Sequence, residues 1–284
     1  MITNNMISDL RCPRTPEQAL EINVTQSKGD QIIDGSIACK ACGSEHQIRS
    51  GIADLVPGDI VSSSDWQLWN EHLNGFAARR EWRIQHPQQF SSQITNRSES
   101  LFKAFADFVN IKSGKVLDVG CGPGNFGKKL GKDVAYYGID PLPLEETDTF
   151  PAVRAIAEYL PFRTDMFTDI VVMAALDHFQ DVSAFCKEAV RVLQPNGKLH
   201  IVQSIHEIRG PITAIKFAAH EIKDLMETRQ TNAESKDAPK HMGEYDRKSL
   251  YEALGQWFEV SAETTHSKTW YSPENLFLSM TVRQ

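Results

Sequence analysis

Short apolar runs in the middle of the chain predict two neighbouring buried strands. Val116–Val119 breaks into a turn that contains several glycines, and Val134–Asp140 ends on an acid. Apolar runs of this length, bounded by turn residues, are typical of strands buried on both faces. We expect a helix after the glycine turn, with its first amides facing outward. Near the end of the chain, residues 258–265 and 276–282 predict a closing antiparallel pair.

Apolar residues recur at helical spacing in four further places. Trp66, Trp69, Leu73 and Phe76 follow a polar linker. Two interpretations of this first helix stay open, because it can dock on the main domain or form a lid whose aromatic side chains line a pocket. The other patterns lie at residues 101–108, 212–226 and 247–254.

The glycine turn carries the first candidate chemistry. Asp118 lies two residues before Gly120, and Gly122 and Gly124 follow. Glycines allow a tight turn and a close approach of the backbone to a ligand, because no Cβ intervenes. A carboxylate at position 118 suits a ligand with an ammonium group and would repel a pyrophosphate. A dinucleotide pattern also fits from Gly122 onward, but that frame starts two residues too late after the strand.

A second acid, Asp140, ends the next strand 20 residues after Gly120. At the carboxyl end of a neighbouring parallel strand, a carboxylate can accept hydrogen bonds from both ribose hydroxyls of a nucleoside. Nicotinamide-binding folds use the same arrangement, so Asp140 alone does not discriminate between cofactors. Its other interpretation is a strand-end acid that caps the turn before Pro141.

Five segments occur in one order between Lys115 and Val202. They are the glycine turn, the strand that ends at Asp140, and the segments Ala155–Phe162, Asp169–His178 and Glu188–Val202. This ordered set resembles the class I S-adenosylmethionine-dependent methyltransferases of type 11. The resemblance implies an α/β fold with a doubly wound, Rossmann-like sheet of seven mostly parallel strands, and S-adenosylmethionine as the cofactor.

The resemblance also implies which residues contact the cofactor. The turn would hold its methionine end, Asp140 its ribose, and the loop Ala155–Phe162 its adenine. This chain has Ile156 where that loop usually has an acid, so the adenine amino group would rely on backbone groups or on Glu158. The predicted cofactor contacts are Asp118, Gly120, Gly122, Gly124, Asp140, Pro141, Ala157, Glu158 and Ala174.

Candidate catalytic residues follow from the chemistry of methyl transfer. The protein aligns the nucleophile with the methyl carbon and, for a hydroxyl acceptor, removes a proton. Histidine is the usual base near neutral pH. His178 follows the fourth strand with Asp177 beside it, and His241 follows a polar stretch. In the alternative, both histidines are structural or solvated, and positioning alone is the whole mechanism.

The first 60 residues carry a separate cysteine pattern. Cys39 and Cys42 form an intact knuckle, and Cys12 is followed by Thr15 where a second thiolate would complete another. The pattern resembles the small zinc-ribbon-like domain that serves as an activator of some methyltransferases. The resemblance implies a structural zinc ion held by the three cysteines with His46 as fourth ligand. In the alternative, no metal binds and an apolar core holds the unit.

Composition bounds the function classes. The 284 residues are 41% hydrophobic and 24% charged, with a formal net charge of −7, which argues against broad nucleic-acid binding. No apolar run reaches the length of a membrane span, no secretory signal is apparent, and five scattered cysteines make a disulfide framework unexpected. We therefore expect a cytoplasmic enzyme.

The predicted organisation has three parts. Residues 1–60 form the degenerate ribbon, 61–96 a linker with the cap helix, and 97–284 the cofactor-binding domain, with an insertion at 205–246. The expected activity is methylation of a small-molecule acceptor, a sugar or natural-product intermediate, on oxygen. One alternative is an RNA methyltransferase of the ribosomal guanine type, and another is a non-catalytic module that binds the cofactor or a partner protein.

Overall fold

The computed structural model describes residues 2–63, 66–67, 69–71, 73–74, 99–142, 152–205, 215, 218–219, 222, 244–266 and 274–283. All structural statements concern these residues. They form one sheet whose strands are, in chain order, β1 (Glu21–Lys28), β2 (Gln31–Ala38), β3 (Glu45–Arg49), β4 (Ile52–Asp54), β5 (Gly114–Val119), β6 (Val134–Asp140), β7 (Ala152–Arg154), β8 (Phe167–Met173), β9 (Leu193–Ile205), β10 (Phe258–His266) and β11 (Glu274–Val282). The helices are α1 (Asn4–Ile7), α2 (Gly58–Val61), α3 (99–109), α4 (Val182–Val192) and α5 (Arg247–Leu254).

The strand order across the sheet is β1-β2-β3-β4-β7-β6-β5-β8-β9-β11-β10. From β4 to β9 every neighbouring pair is parallel, whereas β11 lies antiparallel to both of its neighbours. The central strand β5 carries four buried residues in succession, Val116–Val119. Parallel sheets are packed against other elements on both faces, so both sides of each strand are buried. This explains the continuous apolar runs in the sequence.

Within the described residues, the N-terminal strands do not form a separate sheet. β4 pairs in parallel with β7, with Ala53 opposite Val153, and the Leu55 amide donates to the Arg154 carbonyl at 2.8 Å. The described sheet therefore has 11 strands, of which seven, β5–β11, lie in residues 97–284, and the four N-terminal strands extend the sheet at β7. The physical reason is the short β7, because without β4 it would be an edge strand with unpaired backbone groups.

Two apolar layers cover the sheet. On one face, Phe105 of α3 packs against Phe126 and Phe277, with ring centroids 5.5 and 5.3 Å away. The main core cluster contains Phe185 and Ala189 of α4, together with Leu117, Ile170 and many residues of the N-terminal unit. Because the N-terminal unit shares this cluster, its residues and those of the parallel strands form one continuous core.

Helix ends follow local sequence signals. The Asp181 side chain accepts from the Ala184 amide at 3.0 Å and caps α4, while Asp246 and Ser249 form a reciprocal capping box at α5. The closing pair β10 and β11 confirms the predicted antiparallel strands. Within the described part of the chain, every helix is too short or too polar to cross a bilayer.

The helix expected after the glycine turn is absent from the described residues. A turn and a short 3-10 helix, Gly127–Lys129, fill the space before β6. Glycine disfavours helix, and this segment contains Gly124, Gly127 and Gly131. Gly127 also lies against the Tyr136 ring, where an added Cβ would come within 2.7 Å. The turn is therefore held by packing on β6 rather than by a helix.

Candidate active site

The predicted motif residues meet at one edge of the sheet. β5, β6 and β8 are parallel, so their carboxyl ends lie side by side. Gly120 follows β5, Asp140 ends β6, and Ala174 follows β8. Open α/β sheets bind ligands in the crevice outside these ends. Motifs that are separated in the sequence therefore lie together at a single site in the fold.

The glycine turn is fastened to the neighbouring strand by hydrogen bonds. The Gly120 amide donates to the Ile139 carbonyl at 2.9 Å, and the Gly122 amide donates to Asp140 Oδ2 at 2.8 Å. Gly120, Gly122 and Gly124 have φ of 79°, 49° and 69°, a region that strongly favours glycine. The turn therefore depends on glycine at these positions and on the acid at the end of β6.

The Gly120→Ala substitution tests this packing. A Cβ at position 120 would lie 2.6 Å from the Cβ of Ala175, and the backbone is left-handed there. We expect a loss of about 1–3 kcal/mol of unfolding free energy, because the clash adds to the backbone strain. Gly122→Ala is the matched control, since its added Cβ meets no heavy atom within 4 Å. Urea unfolding that gives equal losses for the two variants would contradict this account.

Asp140 is buried and already accepts two backbone hydrogen bonds. Besides the Gly122 amide, the Leu142 amide donates to Oδ1 at 2.9 Å. Each carboxylate oxygen can accept more than one hydrogen bond, so both remain able to accept ribose hydroxyls. The carboxylate lies on the wall of the cavity described below. The two interpretations of Asp140 are therefore compatible, because its oxygens both cap the turn and border the cavity.

Asp118 is the most buried acid of the site. The Tyr136 hydroxyl donates to its Oδ2, while its Oδ1 has no hydrogen-bond partner among the described residues. Burial raises the pKa of Asp118 to about 7; the Tyr136 hydrogen bond opposes the rise and the charge of Asp140 adds to it. A buried carboxylate oxygen without a hydrogen-bond donor costs free energy. This oxygen therefore suits a cationic or hydrogen-bond-donating group of a ligand. Asp118 does not itself line the cavity.

A cavity of about 170 Å³ lies at this edge of the sheet. It brings together six of the nine predicted cofactor contacts, Gly120, Asp140, Pro141, Ala157, Glu158 and Ala174, while Asp118, Gly122 and Gly124 lie outside its lining. The complete lining is Trp69, Leu73, Val119, Gly120, Ile139, Asp140, Pro141, Leu142, Ala155, Ala157, Glu158, Ala174, Ala175, His178 and Phe179. Most of this wall is apolar, which suits a planar ring between side chains.

A family model matches this same segment. Residues 117–201 match the family model described as a methyltransferase domain. Over these residues the chain is similar to methyltransferase domains. The matched segment begins inside β5 and ends inside β9, so it includes the glycine turn, Asp140 and the loop Ala155–Phe162.

Curated relatives are similar over about half of their length. Tocopherol O-methyltransferase of Arabidopsis thaliana is 27% identical over 192 residues, which cover 61% of this chain and 54% of that protein. Phthiotriol/phenolphthiotriol dimycocerosates methyltransferase of Mycobacterium leprae is 26% identical over 159 residues, 52% of this chain and 58% of that protein. The chain thus spans about half the length of the relatives it matches.

Solved structures share the fold at low identity. The PH0226 protein of Pyrococcus horikoshii superimposes with a TM-score of 0.51 at 17% identity, covering 72% of this chain and 99% of that one. A chain from the complex between the Haloferax volcanii Trm112 methyltransferase activator and the putative methyltransferase superimposes with a TM-score of 0.50 at 15% identity, covering 75% and 96%. The described part of the chain therefore shares the class I, Rossmann-like fold with these structures.

Glu158 holds the loop Ala155–Phe162 against the turn that precedes α4. Its Oε1 accepts from the amides of Gln180 at 2.7 Å and Asp181 at 3.2 Å. Burial raises the pKa of Glu158, and these backbone hydrogen bonds oppose the rise. The residue that replaces the usual acid, Ile156, is buried in a cluster with Trp66, Trp69, Leu73 and Val56. An acid there would lose its water without gaining a partner, which explains the apolar substitution.

The candidate catalytic residues are only partly brought together. His178 lines the cavity, and its ring Nε2 lies 4.0 Å from Asp177 Oδ1. Asp177 is buried and does not line the cavity, and its role in orienting the base or accepting the proton stays a prediction. Burial raises the pKa of the Tyr245 hydroxyl and the Asp177 charge raises it further, so Asp177 lies near that side chain. His241 lies outside the described residues.

Trp69 and Leu73 are cavity residues that the predicted cofactor contacts did not include. The Trp69 Nε1–H donates to the carbonyl of His178 at 2.7 Å, and its ring lies 4.9 Å from that of Trp66. The helical spacing of these residues in the sequence predicts a helix, but it does not distinguish a helix docked on the domain from a lid. In the structure, Trp66, Trp69 and Leu73 pack in one cluster with Val56 and Ile156, and Trp69 and Leu73 also line the cavity.

The cysteine cluster forms without His46. The Sγ atoms of Cys12, Cys39 and Cys42 lie within 4.8 Å of one another. The predicted fourth ligand, His46, instead bonds through Nδ1 to the Asp54 carbonyl at 3.1 Å, and burial lowers its pKa. His46 pairs with Ile37 in the β2–β3 ladder, which fixes its ring away from the thiols. The structure therefore brings together three of the four predicted metal ligands.

Proposed function

We propose that the chain is an S-adenosylmethionine-dependent methyltransferase that methylates a small-molecule acceptor, a sugar or natural-product intermediate, on oxygen. The observation that carries the proposal is the convergence of the glycine turn, Asp140 and the loop Ala155–Phe162 on one cavity, in a segment that is similar to methyltransferase domains. A structural turn alone would not account for Asp118, whose Oδ1 is buried without a partner among the described residues.

The donor set fits this cofactor. Asp140 offers acceptors for ribose hydroxyls, and Ala155, Ala157 and Leu142 offer an apolar wall for adenine. Asp118 offers a carboxylate that would pair with an ammonium group bound near the glycine turn. When bound, the cofactor supplies a methyl group on a positively charged sulfonium. The task left to the chain is to align the acceptor and exclude water.

The relatives support a small-molecule acceptor. Their names refer to a tocopherol and to phthiotriol and phenolphthiotriol dimycocerosates. The mostly apolar lining, with Trp69, Leu73 and Phe179, favours an acceptor that brings a flat or apolar part next to the cofactor. The net charge of −7 favours such an acceptor over RNA. A cytoplasmic location stays a prediction.

We also propose the predicted division of labour along the chain. Residues 97–284 bind the cofactor and the acceptor, residues 61–96 provide the cap helix, and residues 1–60 form an accessory unit that extends the sheet. The shared core and the β4–β7 pairing support a fixed rather than a tethered accessory unit.

Binding and turnover test the function. Calorimetry with S-adenosylhomocysteine is expected to show one site per chain, and incubation of S-adenosylmethionine with a panel of hydroxylated small molecules is expected to yield S-adenosylhomocysteine. Binding without turnover on any acceptor would favour the non-catalytic module. A salt-dependent RNA shift in a gel, with methylation of that RNA, would favour the RNA methyltransferase. A nicotinamide nucleotide bound at the site would exclude both the proposed function and the RNA methyltransferase.

His178 is the proposed base, and its replacement separates catalysis from binding. His178→Ala removes a ring from the cavity wall but keeps the carbonyl that accepts from Trp69. We expect kcat to fall by about 10²–10⁴-fold, the usual contribution of a positioned base, with S-adenosylhomocysteine affinity within about threefold of the parent. His266→Ala, which changes a ring stacked on Phe277, is the control. Full turnover by His178→Ala would remove it as a base.

A further inference from the structure

The three cysteine sulfurs of the N-terminal unit already lie near the spacing that a metal ion requires. Cys12 Sγ and Cys42 Sγ are 3.5 Å apart, and Cys39 Sγ lies within 4.8 Å of both. Thiolates bound to one tetrahedral zinc ion at about 2.3 Å are roughly 3.8 Å from each other. The cluster would therefore need only small side-chain movements to bind an ion.

The fourth position around these sulfurs lacks a good metal ligand. Thr15, which replaces the missing thiolate, places its Oγ1 3.2 Å from Cys39 Sγ, and Ser44 Oγ lies 3.1 Å from Cys42 Sγ. Among the described residues, only the three cysteines form the candidate metal-binding group. Structural zinc sites close four ligands around the ion, whereas sites with three protein ligands keep an exchangeable position.

The segment that carries Cys12 and Thr15 is attached directly to the cofactor loop. Arg14, between them in sequence, stacks over the Tyr159 ring at 4.5 Å and donates to Asp59 through Nε at 3.2 Å. Close by, the Arg11 amide donates to the Pro161 carbonyl at 3.0 Å. Tyr159 directly follows two residues that line the cavity, Ala157 and Glu158. The cysteine segment therefore contacts the chain directly beside that wall.

We propose that Cys12, Cys39 and Cys42 bind one thiophilic metal ion such as Zn²⁺ in an open, exchangeable site, and that its occupancy strengthens cofactor binding through the contact of Arg14 with Tyr159. The ion fixes the segment 12–15, and that segment supports the loop Ala155–Phe162 from the outside. Coupling of two sites in this way is reciprocal, so the cofactor also strengthens metal binding by the same factor. The coupling rests on the proposed function, whereas the metal site does not.

Metal and cofactor titrations of the full chain test both parts. After treatment with a chelator, Zn²⁺ competed against a chromophoric chelator is expected to bind at one equivalent per chain, and Cys42→Ser is expected to lose it. With Zn²⁺ bound, S-adenosylhomocysteine affinity measured by calorimetry should rise about tenfold. Arg14→Ala should bind Zn²⁺ as the parent does and lose this tenfold gain, while Arg49→Ala, an exposed arginine on β3, should keep it.

Completing the ligand set tests whether the site is open. Thr15→Cys supplies a fourth thiolate, so Zn²⁺ affinity should rise about 100-fold and exchange into the chelator should slow. Thr15→Val, which removes the hydroxyl without adding sulfur, should still bind one Zn²⁺. An unchanged affinity in Thr15→Cys would show that the parent site is already closed and overturn the open site.

The remaining outcomes separate the two proposals. Absence of Zn²⁺ binding to the full chain, with S-adenosylhomocysteine still binding, overturns the metal site and leaves the function intact. Zn²⁺ binding with an unchanged S-adenosylhomocysteine affinity overturns the coupling. If S-adenosylhomocysteine binds in neither state, the proposed function fails, and the Zn²⁺ titration still reports on the three cysteines.

Discussion

Replacing Asp140 by alanine is expected to weaken S-adenosylhomocysteine binding by about 5- to 150-fold. The carboxylate lies on the cavity wall at the end of β6, where both of its oxygens can accept ribose hydroxyls. Its loss would leave buried hydroxyls without acceptors, which costs about 1–3 kcal/mol. Calorimetry at a fixed pH, with S-adenosylhomocysteine as the ligand, measures the change.

The same substitution should also destabilise the protein without ligand. The amides of Gly122 and Leu142 would lose their acceptor, at about 1–3 kcal/mol for each amide that stays buried. Asp140→Asn keeps one oxygen and should give an intermediate loss in urea unfolding. Asp107→Ala, at an exposed acid of α3, is the control. If Asp140→Ala left the ligand affinity unchanged, Asp140 would not be the group that binds the ribose hydroxyls.

The affinity for S-adenosylhomocysteine is expected to rise with pH through about 7. The pKa of Asp118 is raised to about 7 by burial, so below that pH the folded protein holds this group neutral. An ammonium group is bound by the charged form, and binding then requires release of a proton. Between pH 7.5 and pH 5 the affinity should therefore fall by as much as about 100-fold. Calorimetry in buffers of different ionisation enthalpy measures both the affinity and the released proton.

Asp118 also makes the stability of the free protein pH-dependent. Because its folded pKa lies above its value in the unfolded chain, the neutral form stabilises the fold fully at low pH. That contribution is lost as the pH rises from about 4 to about 7. Asp118→Asn should remove this part of the slope in urea unfolding and flatten the pH profile of ligand affinity. A parent profile that is already flat would contradict the role of Asp118.

The strands and the turn could be predicted because their signals are local. The apolar run ending at Val119, the glycines after it and the acid at position 140 follow from period and composition within a few residues. The helix Arg247–Leu254 was equally readable, since Asp246 and Ser249 form its cap. In each case the residues that specify the element are neighbours in sequence.

The errors concern contacts between distant segments. His46 has a suitable spacing from Cys42, yet the ladder of β2 with β3 fixes its ring against Asp54. Likewise, Tyr136 was not predicted as the partner of Asp118. The register between β5 and β6 determines this contact. Asp118 pairs with Gly138, and Tyr136 lies two residues earlier on the same face of β6.

By itself, the sequence determined the parallel strands, the glycine turn and the acids that border the cavity, since backbone conformation and continuous apolar runs are encoded over short stretches. Only the tertiary structure decided that the N-terminal strands extend the same sheet, that Trp69 lines the cavity and that three cysteines meet without His46. The first two features pair groups that lie 100 or more residues apart, and the third brings together cysteines up to 30 residues apart. Local propensity cannot specify such pairings, because they are chosen by the burial of the whole chain.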